Sequence, residues 1–364
     1  MSNPRTSVAV TVAVAIVTYG DRARFLSEVL EGVFSQTAIS QIGRVVICDN
    51  GAGAESKVLL ANLALQRPTL RVVTLPNNSG SARGFGEAIR EAAASGCELV
   101  WCLDDDNKPY PDTLERLLNV LDSVESGAAL LSLRDNHLPQ LRLARGASVE
   151  EAFGRQHSFL GFSILDIPSK IRKRLLADKA EGSRTFVTKP IRVPCAPYGG
   201  FLFRAKQVAE IGLPELAFYL YHDDDEFTMR FVRRGYPIYL VPDSKIRDLE
   251  RSWHSSQPSR DPWVSSRLLS DAEAHSFVRQ FYSVRNRAFV ESRSLGWGRN
   301  APYWVNTASY LFLLFVQALL LRAAGQRGPW LSFKIIVGAA QRGWRGRLGR
   351  ISETTLGKGE ARER

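Results

Sequence analysis

The chain has little cysteine, four residues in 364, and Cys48, Cys97, Cys102 and Cys195 are scattered among apolar neighbours. With no C-x-x-C pair and no zinc-ligand spacing, a structural zinc module and a disulfide scaffold are excluded, and the four read as buried thiols of a reducing compartment. No small-residue cleavage site follows the apolar run Val8 to Val17, although Arg5 precedes it. The run leads instead into Thr18-Tyr19-Gly20-Asp21, a strand passing into a loop, so it is read as the first core strand and not as an export signal. There is no internal repeat and no low-complexity tract, which excludes a solenoid and a long disordered arm. At 45% hydrophobic content the chain can bury a large core, as one large domain with an extension or as two domains.

Charge is plentiful and unevenly placed. From Arg322 to Arg364 there are ten Lys/Arg and three Glu, so +7 of the formal +11 falls in this last stretch. Such a tail attracts an anionic partner, either nucleic acid or a membrane surface. The residues before it favour the membrane and not nucleic acid. Tyr310 to Leu321 contains a single polar residue, Gln317, and is flanked by Tyr303 and Trp304 on one side and Arg322 on the other, the arrangement of interfacial anchors. A helix over Tyr303 to Leu321 would reach roughly 28 Å, but Asn306, Thr307, Ser309 and Gln317 interrupt its apolar surface. It is therefore expected to lie in or dip into a membrane, with a buried helix of a C-terminal bundle as the alternative. A second apolar stretch, Trp330 to Val337, sits among basic residues.

Short β-rich runs alternate with helical patterns through the first 130 residues. Strands are expected at Val8 to Val17, Arg44 to Cys48, Leu70 to Leu75 and Leu99 to Leu103, and helices at Arg24 to Phe34, Ser56 to Gln66, Gly84 to Ala94 and Pro111 to Val124. This rhythm predicts an α/β fold with a doubly wound, mostly parallel sheet flanked by helices. Ligands bind beyond the carboxyl ends of such strands, where Thr18, Asp49, Asn77 and Asp104 fall. Arg134 to Pro190 is less periodic and reads as an insertion. The core resumes at Pro194 to Phe203, with a helix at Glu226 to Arg234 and a strand at Tyr236 to Pro242. The polar stretch after Trp253-His254 divides a catalytic domain, residues 1–254, from a helical, membrane-associating extension, residues 255–364.

Two acidic clusters carry the chemistry. Leu99-Val100-Trp101-Cys102-Leu103 runs into Asp104-Asp105-Asp106, and three adjacent carboxylates at a strand end repel one another unless a divalent cation neutralises them. A solvated turn is the plainer alternative. A second cluster, His222-Asp223-Asp224-Asp225-Glu226, precedes a helix, where the dipole also favours acids. Asn78 to Phe85 forms a glycine-containing loop opening a helix, a place where backbone amides can face an anion.

Taken in order, T-Y at the first strand end, V-V-I-C-D-N-G at the second, N-N-S-G-S-A-R-G-F after the third, D-D-D after the fourth and then H-D-D-D-E-F resemble the family-2 inverting glycosyltransferases of the GT-A fold. Within that group the chain is most similar to bacterial galactofuranosyltransferases and rhamnosyltransferases of cell-envelope glycan synthesis. The resemblance spans roughly residues 8 to 290 and includes Tyr282-x-x-Arg285-Asn286. It implies that Thr18, Tyr19, Asp49, Asn78, Arg83 and Asp105 bind a nucleotide-sugar donor. It further implies that Asp104, Asp106 and His254 hold Mn²⁺ or Mg²⁺, Asp224 is the general base, Asp223 positions the acceptor hydroxyl, and His222 and Glu226 contact the acceptor. The chain departs from the family pattern in Ser81-Ala82-Arg83, where a second glycine pair is usual, in His222, where tryptophan usually stands, and in a longer spacing to His254.

The implied reaction is a single displacement with inversion at the anomeric carbon, and the apolar helix with its basic tail suits a polyprenyl-linked glycan acceptor at the cytoplasmic face of the cell membrane. Two alternatives differ in class. A nucleotidyltransferase would carry a glycine-rich, Arg/Lys-bearing loop directly after the first strand, where this chain has Thr18-Tyr19-Gly20-Asp21-Arg22. A non-catalytic membrane-bound nucleotide-sugar-binding protein would have no need of Asp104, Asp106 and Asp224 together.

Overall fold

The computed structural model describes residues 10–175, 186–250, 269 and 274–351. In chain order the first part runs β1 (Val12–Gly20), α1 (Ala23–Phe34), β2 (Ile42–Ala52), α2 (Ala54–Gln66), β3 (Leu70–Leu75), α3 (Ser81–Ala93), β4 (Leu99–Asp104), β5 (Asn107–Pro109), α4 (Thr113–Leu121), β6 (Ala129–Arg134) and α5 (Leu138–Ala144). There follow α6 (Val149–Phe153), α7 (Ile167–Leu175), β7 (Ile191–Val193), β8 (Phe201–Arg204), α8 (Val208–Ile211), α9 (Asp223–Arg233) and β9 (Ile238–Asp248). Three long helices complete it, α10 (Ala274–Phe289), α11 (Ala301–Ala323) and α12 (Gly328–Trp344).

The chain divides into two compact units. The first comprises Met1–Gly146, Phe186–Leu216 and Asp223–Ser255, and the second Ala147–Thr185, Ala217–His222 and Ser256–Arg364. Two short stretches from the middle of the sequence thus group with the C-terminal helices.

The first unit is built on one sheet of strand order β3-β2-β1-β4-β8-β6-β9-β5, with β7 paired to β9. The β3-β2-β1-β4 half is parallel, as the βαβ rhythm requires, because each helix carries the chain back across the sheet. β8 then pairs antiparallel with both β4 and β6, so the parallel order does not continue across the whole sheet. The strands are continuous apolar runs because both faces are covered. Val12 to Ile16 are fully buried, as are Leu99 to Leu103. α1 meets the sheet through Leu26, Val29, Leu30 and Val33, spaced by three and four along one face, and α4 does so through Leu114, Leu117 and Leu121. α9 begins at Asp223, three residues before the expected start, so the acidic cluster forms its first turn, where the helix dipole favours negative charge.

The second unit has its own core, in which Phe159 and Leu269 join Phe281, Val284 and Ala288 of α10, Tyr303, Leu314 and Ala318 of α11, and Ile335, Ile336, Ala339 and Ala340 of α12. Asn306 and Thr307, which the sequence suggested as interruptions of an apolar helix, lie on the packed side of α11. Asn306 Nδ2 donates to the His157 carbonyl at 2.9 Å and its Oδ1 accepts from the Ile164 N–H at 3.0 Å. The opposite side keeps Val305, Phe312, Leu313, Leu319 and Leu320 exposed.

Gly51 shows how tightly the strand ends are closed. Its φ is +77°, and a Cβ there would come within 2.5 Å of the Asn78 backbone nitrogen. Gly51→Ala is expected to destabilise the protein by about 2 kcal/mol, combining left-handed strain with a backbone clash. Urea denaturation monitored by far-UV circular dichroism checks this, and an unchanged midpoint would refute the close approach.

Candidate active site

Strand register sets the site. On β1 Val17 lies opposite Asp104 of β4 and Thr18 opposite Asp49 of β2, so three polar strand ends from distant sequence positions stand side by side. Asp49 is buried and its Oδ1 accepts the Ala52 N–H at 2.7 Å. Asn50 shapes the neighbouring loop: its Oδ1 accepts from the Ser79 N–H at 2.8 Å and its Nδ2 donates to the Gly80 carbonyl at 3.0 Å. Asn78 closes the same turn by accepting the Gly80 N–H at 3.0 Å. Arg83, on the first turn of α3, pairs with Glu87 at 2.8 Å, and Glu87 also pairs with Arg90. Thr18 is fully buried, whereas Tyr19 remains 42% exposed with the Arg22 guanidinium 5.1 Å from its ring.

The Asp104–Asp106 cluster is held by two arginines. Arg22 donates to Asp105 at 2.8 Å, Asp106 at 3.0 Å and Glu250 at 2.7 Å. Arg134 makes a two-pronged pair with Asp248, both bonds 2.9 Å, and its remaining nitrogen stands 4.0 Å from Asp104. Asn107 bridges Asp248 at 2.8 Å and Asp106 at 3.2 Å. Even so the carboxylates are under-compensated. Asp104 is raised above the ordinary aspartate range, first by its removal from bulk water and then by the charges of Asp106, Asp105 and Asp224, with Arg134 opposing. Asp105 is pushed up to about 6 by burial against the pull of Arg22. Asp104 keeps the most exposed side chain of the three.

These residues suit a hard divalent cation. Two carboxylates separated by one residue provide oxygen ligands, and such ions take their remaining ligands from substrate phosphate and water. Among the described residues Asp105 Oδ2 and Asn107 Oδ1 are buried oxygens that accept no hydrogen bond, and the missing side chain of Gly199 lets Asn107 Oδ1 and Asp104 close against its backbone, where a Cβ would clash. Among the described residues no third His, Cys, Asp or Glu joins the pair in metal-binding geometry. His254, the expected third ligand, lies outside the described residues.

The members of the second cluster stand in different surroundings. Asp223 is 2% exposed, and both of its oxygens are engaged by the Ser81 hydroxyl at 3.0 and 2.9 Å, joining the N-termini of α3 and α9. Its carboxyl is raised by burial and by Asp224, and the buried Tyr198 hydroxyl faces it without closing a hydrogen bond. Asp224 is only half-buried; its Oδ1 accepts the Asp225 N–H at 2.9 Å, and its charge is felt at Asp104. Thr228 pins this turn by donating to the Asp224 and Ala196 carbonyls. Glu226 pairs with Arg230 at 3.1 Å. His222 belongs to the second unit and has a left-handed φ of +59°.

Within the first unit, therefore, Thr18, Asp49, Asp104, Asp105, Asp106, Asp223 and Asp224 gather at the carboxyl ends of β1, β2 and β4. Arg22, Arg134, Asp248 and Ser81 were absent from the sequence expectation. Arg134 and Asp248 are 114 positions apart and carry no local signal. Ser81 did have one, because it is where the chain departs from the family's glycine pattern.

Replacing Arg134 with Met would leave Asp248, whose side chain is 2% exposed, without its guanidinium. A loss of about 3 kcal/mol is expected in metal-free buffer, the cost of an uncompensated buried charge. Equilibrium urea titration measures it, and a change below ~1 kcal/mol would mean that the pair is not what secures the cluster.

The glycosyl transferase family 2 model matches residues 13–155. The chain is 24% identical over 296 residues to galactofuranosyltransferase GlfT1 of Mycolicibacterium smegmatis, an alignment covering 78% of this chain and 83% of that one. Its fold is similar to that of GalNAc-T7, solved with UDP, GalNAc and Mn²⁺, with a TM-score of 0.53 and 16% identity over 78% of this chain. The match takes in 48% of GalNAc-T7, about half its length. Polar strand ends and acidic clusters thus gather at the carboxyl edge of a GT-A sheet, within a chain that carries a match to the glycosyl transferase family 2 model over residues 13–155.

Proposed function

We propose that the chain transfers galactofuranose from a uridine diphosphate donor to a lipid-linked glycan acceptor, with inversion and with a divalent cation. One observation carries the proposal: Asp224 is half-buried and near enough to Asp104 for its charge to raise that carboxyl, which suits an acceptor hydroxyl and a donor diphosphate meeting between the two. The similarity to GlfT1 favours galactofuranose over rhamnose as the sugar.

Asp224 removes the proton from the acceptor hydroxyl while that oxygen attacks the anomeric carbon, and the bond to the diphosphate oxygen breaks on the opposite face. Asp223 anchors the turn through Ser81 and so holds the backbone from which Asp224 presents its carboxylate. Asp104 and Asp106 would hold the cation, which stabilises charge on the departing diphosphate. Arg22 keeps Asp105 and Asp106 in place. Thr18, Tyr19 and Asp49 line the nucleotide side, and Asn50 and Asn78 shape the loop before α3, whose N-terminus favours an anion.

The membrane part of the proposal rests on α11. Its 23 residues reach about 35 Å, yet one side is packed and the other exposes Val305, Phe312, Leu313, Leu319 and Leu320. A helix with one apolar side free suits lying in the headgroup region of an anionic leaflet, with Arg322, Arg327 and the basic residues that follow near lipid phosphates.

Asp224→Asn is expected to lower transfer by about a thousandfold while leaving the affinity for UDP within threefold. Assays with UDP-galactofuranose and MnCl₂ check this, with EDTA abolishing the wild-type rate; near-normal turnover by the variant would remove Asp224 as base. Phe312→Glu with Leu320→Glu should reduce flotation with phosphatidylglycerol vesicles by at least tenfold, each apolar contact contributing on the order of 1 to 2 kcal/mol. Equal flotation of variant and wild type would dismiss α11 as the anchor.

A further inference from the structure

Phe218 to His222, in the second unit, is a turn with an unusual backbone. Tyr219, Tyr221 and His222 have φ of +66°, +65° and +59°, and none is glycine. Side chains with a Cβ adopt this region only where surrounding contacts enforce it. Those contacts come from α10. Asn286 Nδ2 lies 3.0, 2.7 and 2.8 Å from the carbonyls of Phe218, Leu220 and Tyr221. Arg285 donates to the Phe218 carbonyl at 3.0 Å, to the Gly349 carbonyl at 2.5 Å and to Asn286 Oδ1 at 2.8 Å, fixing the orientation of the amide. Both side chains are fully buried.

A second layer closes the turn. The Gly349 N–H donates to the Ala217 carbonyl at 2.7 Å, Arg350 stands 5.4 Å over the Tyr219 ring, and Tyr219 packs on Tyr282 with ring centres 5.2 Å apart. Among the described residues Arg285 has no carboxylate partner, and burial pushes it down to about 10. A charged group held this way, bonded only to carbonyls and an amide, is costly unless the carbonyls it organises matter.

We propose that Arg285 and Asn286 are positioning residues that lock Phe218 to His222 in its left-handed form and so fix the segment from which the chain passes directly into Asp223 and Asp224. The assignment deepens the proposed function, because it rests on Asp224 as the base. The pair touches no reacting atom; it acts by holding the backbone that precedes the base. A planar guanidinium suits the turn, since it reaches Asn286 Oδ1 and the Gly349 and Phe218 carbonyls from three separate nitrogens held in one plane, a spread that the single nitrogen of a lysine does not have.

The test combines Asn286→Ala and Arg285→Lys in the full-length protein, with near-UV circular dichroism confirming the folded state. Chymotrypsin cleavage after Tyr219 or Tyr221, mapped by mass spectrometry, should accelerate at least tenfold in Asn286→Ala and less in Arg285→Lys. Hydrolysis of UDP-galactofuranose, with water as acceptor, should lose at least tenfold in kcat while KM stays within twofold, a split that general loosening of the fold would not produce. Should Asn286→Ala fail to fold, Arg285→Lys carries both measurements. Unchanged cleavage rates, or a loosened turn with unchanged kcat, would overturn the assignment. A wild-type protein that hydrolyses no donor would count against the proposed donor, while the cleavage rates still decide whether the pair locks the turn.

Discussion

Three successive carboxylates at the end of a buried strand impose the constraint around which the first unit is organised. Asp104, Asp105 and Asp106 follow the fully buried Trp101, Cys102 and Leu103, so their charges stand at the mouth of an apolar core, where solvent stabilises them poorly. Arg22 enters from the loop after β1, Arg134 from the end of β6, and Asp248 from the end of β9, which Asn107 links back to Asp106. Among the described residues two guanidinium groups face these carboxylates and leave the cluster net negative, an imbalance that suits a further positive ligand.

The two helix N-termini solve a related problem. α3 begins after the glycine turn that Asn50 and Asn78 shape, and α9 begins with four acids in its first turn. Ser81 and Asp223 join these ends, so that one aspartate becomes a buried anchor and its neighbour remains half-buried beside the strand-end acids. Identical side chains in adjacent positions thus differ in both exposure and hydrogen bonding. A glycine in place of Ser81, nearer the family pattern, would lack the hydroxyl that engages Asp223.

Much of the parallel half of the sheet was legible from the chain. The alternation of apolar runs with helical faces located β1 to β4 and α1 to α4 within a few residues, because residues buried on both sides must be apolar and helical faces repeat by three and four. The antiparallel placement of β8 between β4 and β6 was not legible, since a short apolar run carries no record of its partners. α9 began earlier than expected because a helix dipole tolerates acids that pattern alone assigns to a loop. Asn306 and Thr307 looked like breaks in an apolar helix and are instead buried and hydrogen-bonded, which leaves the exposed side of α11 apolar.

By itself the sequence determined the order of strand-end motifs, the two acidic clusters and the apolar helix followed by a basic tail, since composition and periodicity are local properties. Tertiary structure decided which charges meet. Ion pairing depends on distances of a few ångströms between groups that may be separated by more than a hundred residues, as Arg134 and Asp248 are. It also decided that Asp223 is buried and Asp224 half-buried, and that Arg285 and Asn286 bind the carbonyls of a turn more than sixty residues earlier, because burial and backbone conformation are set by packing across the whole unit.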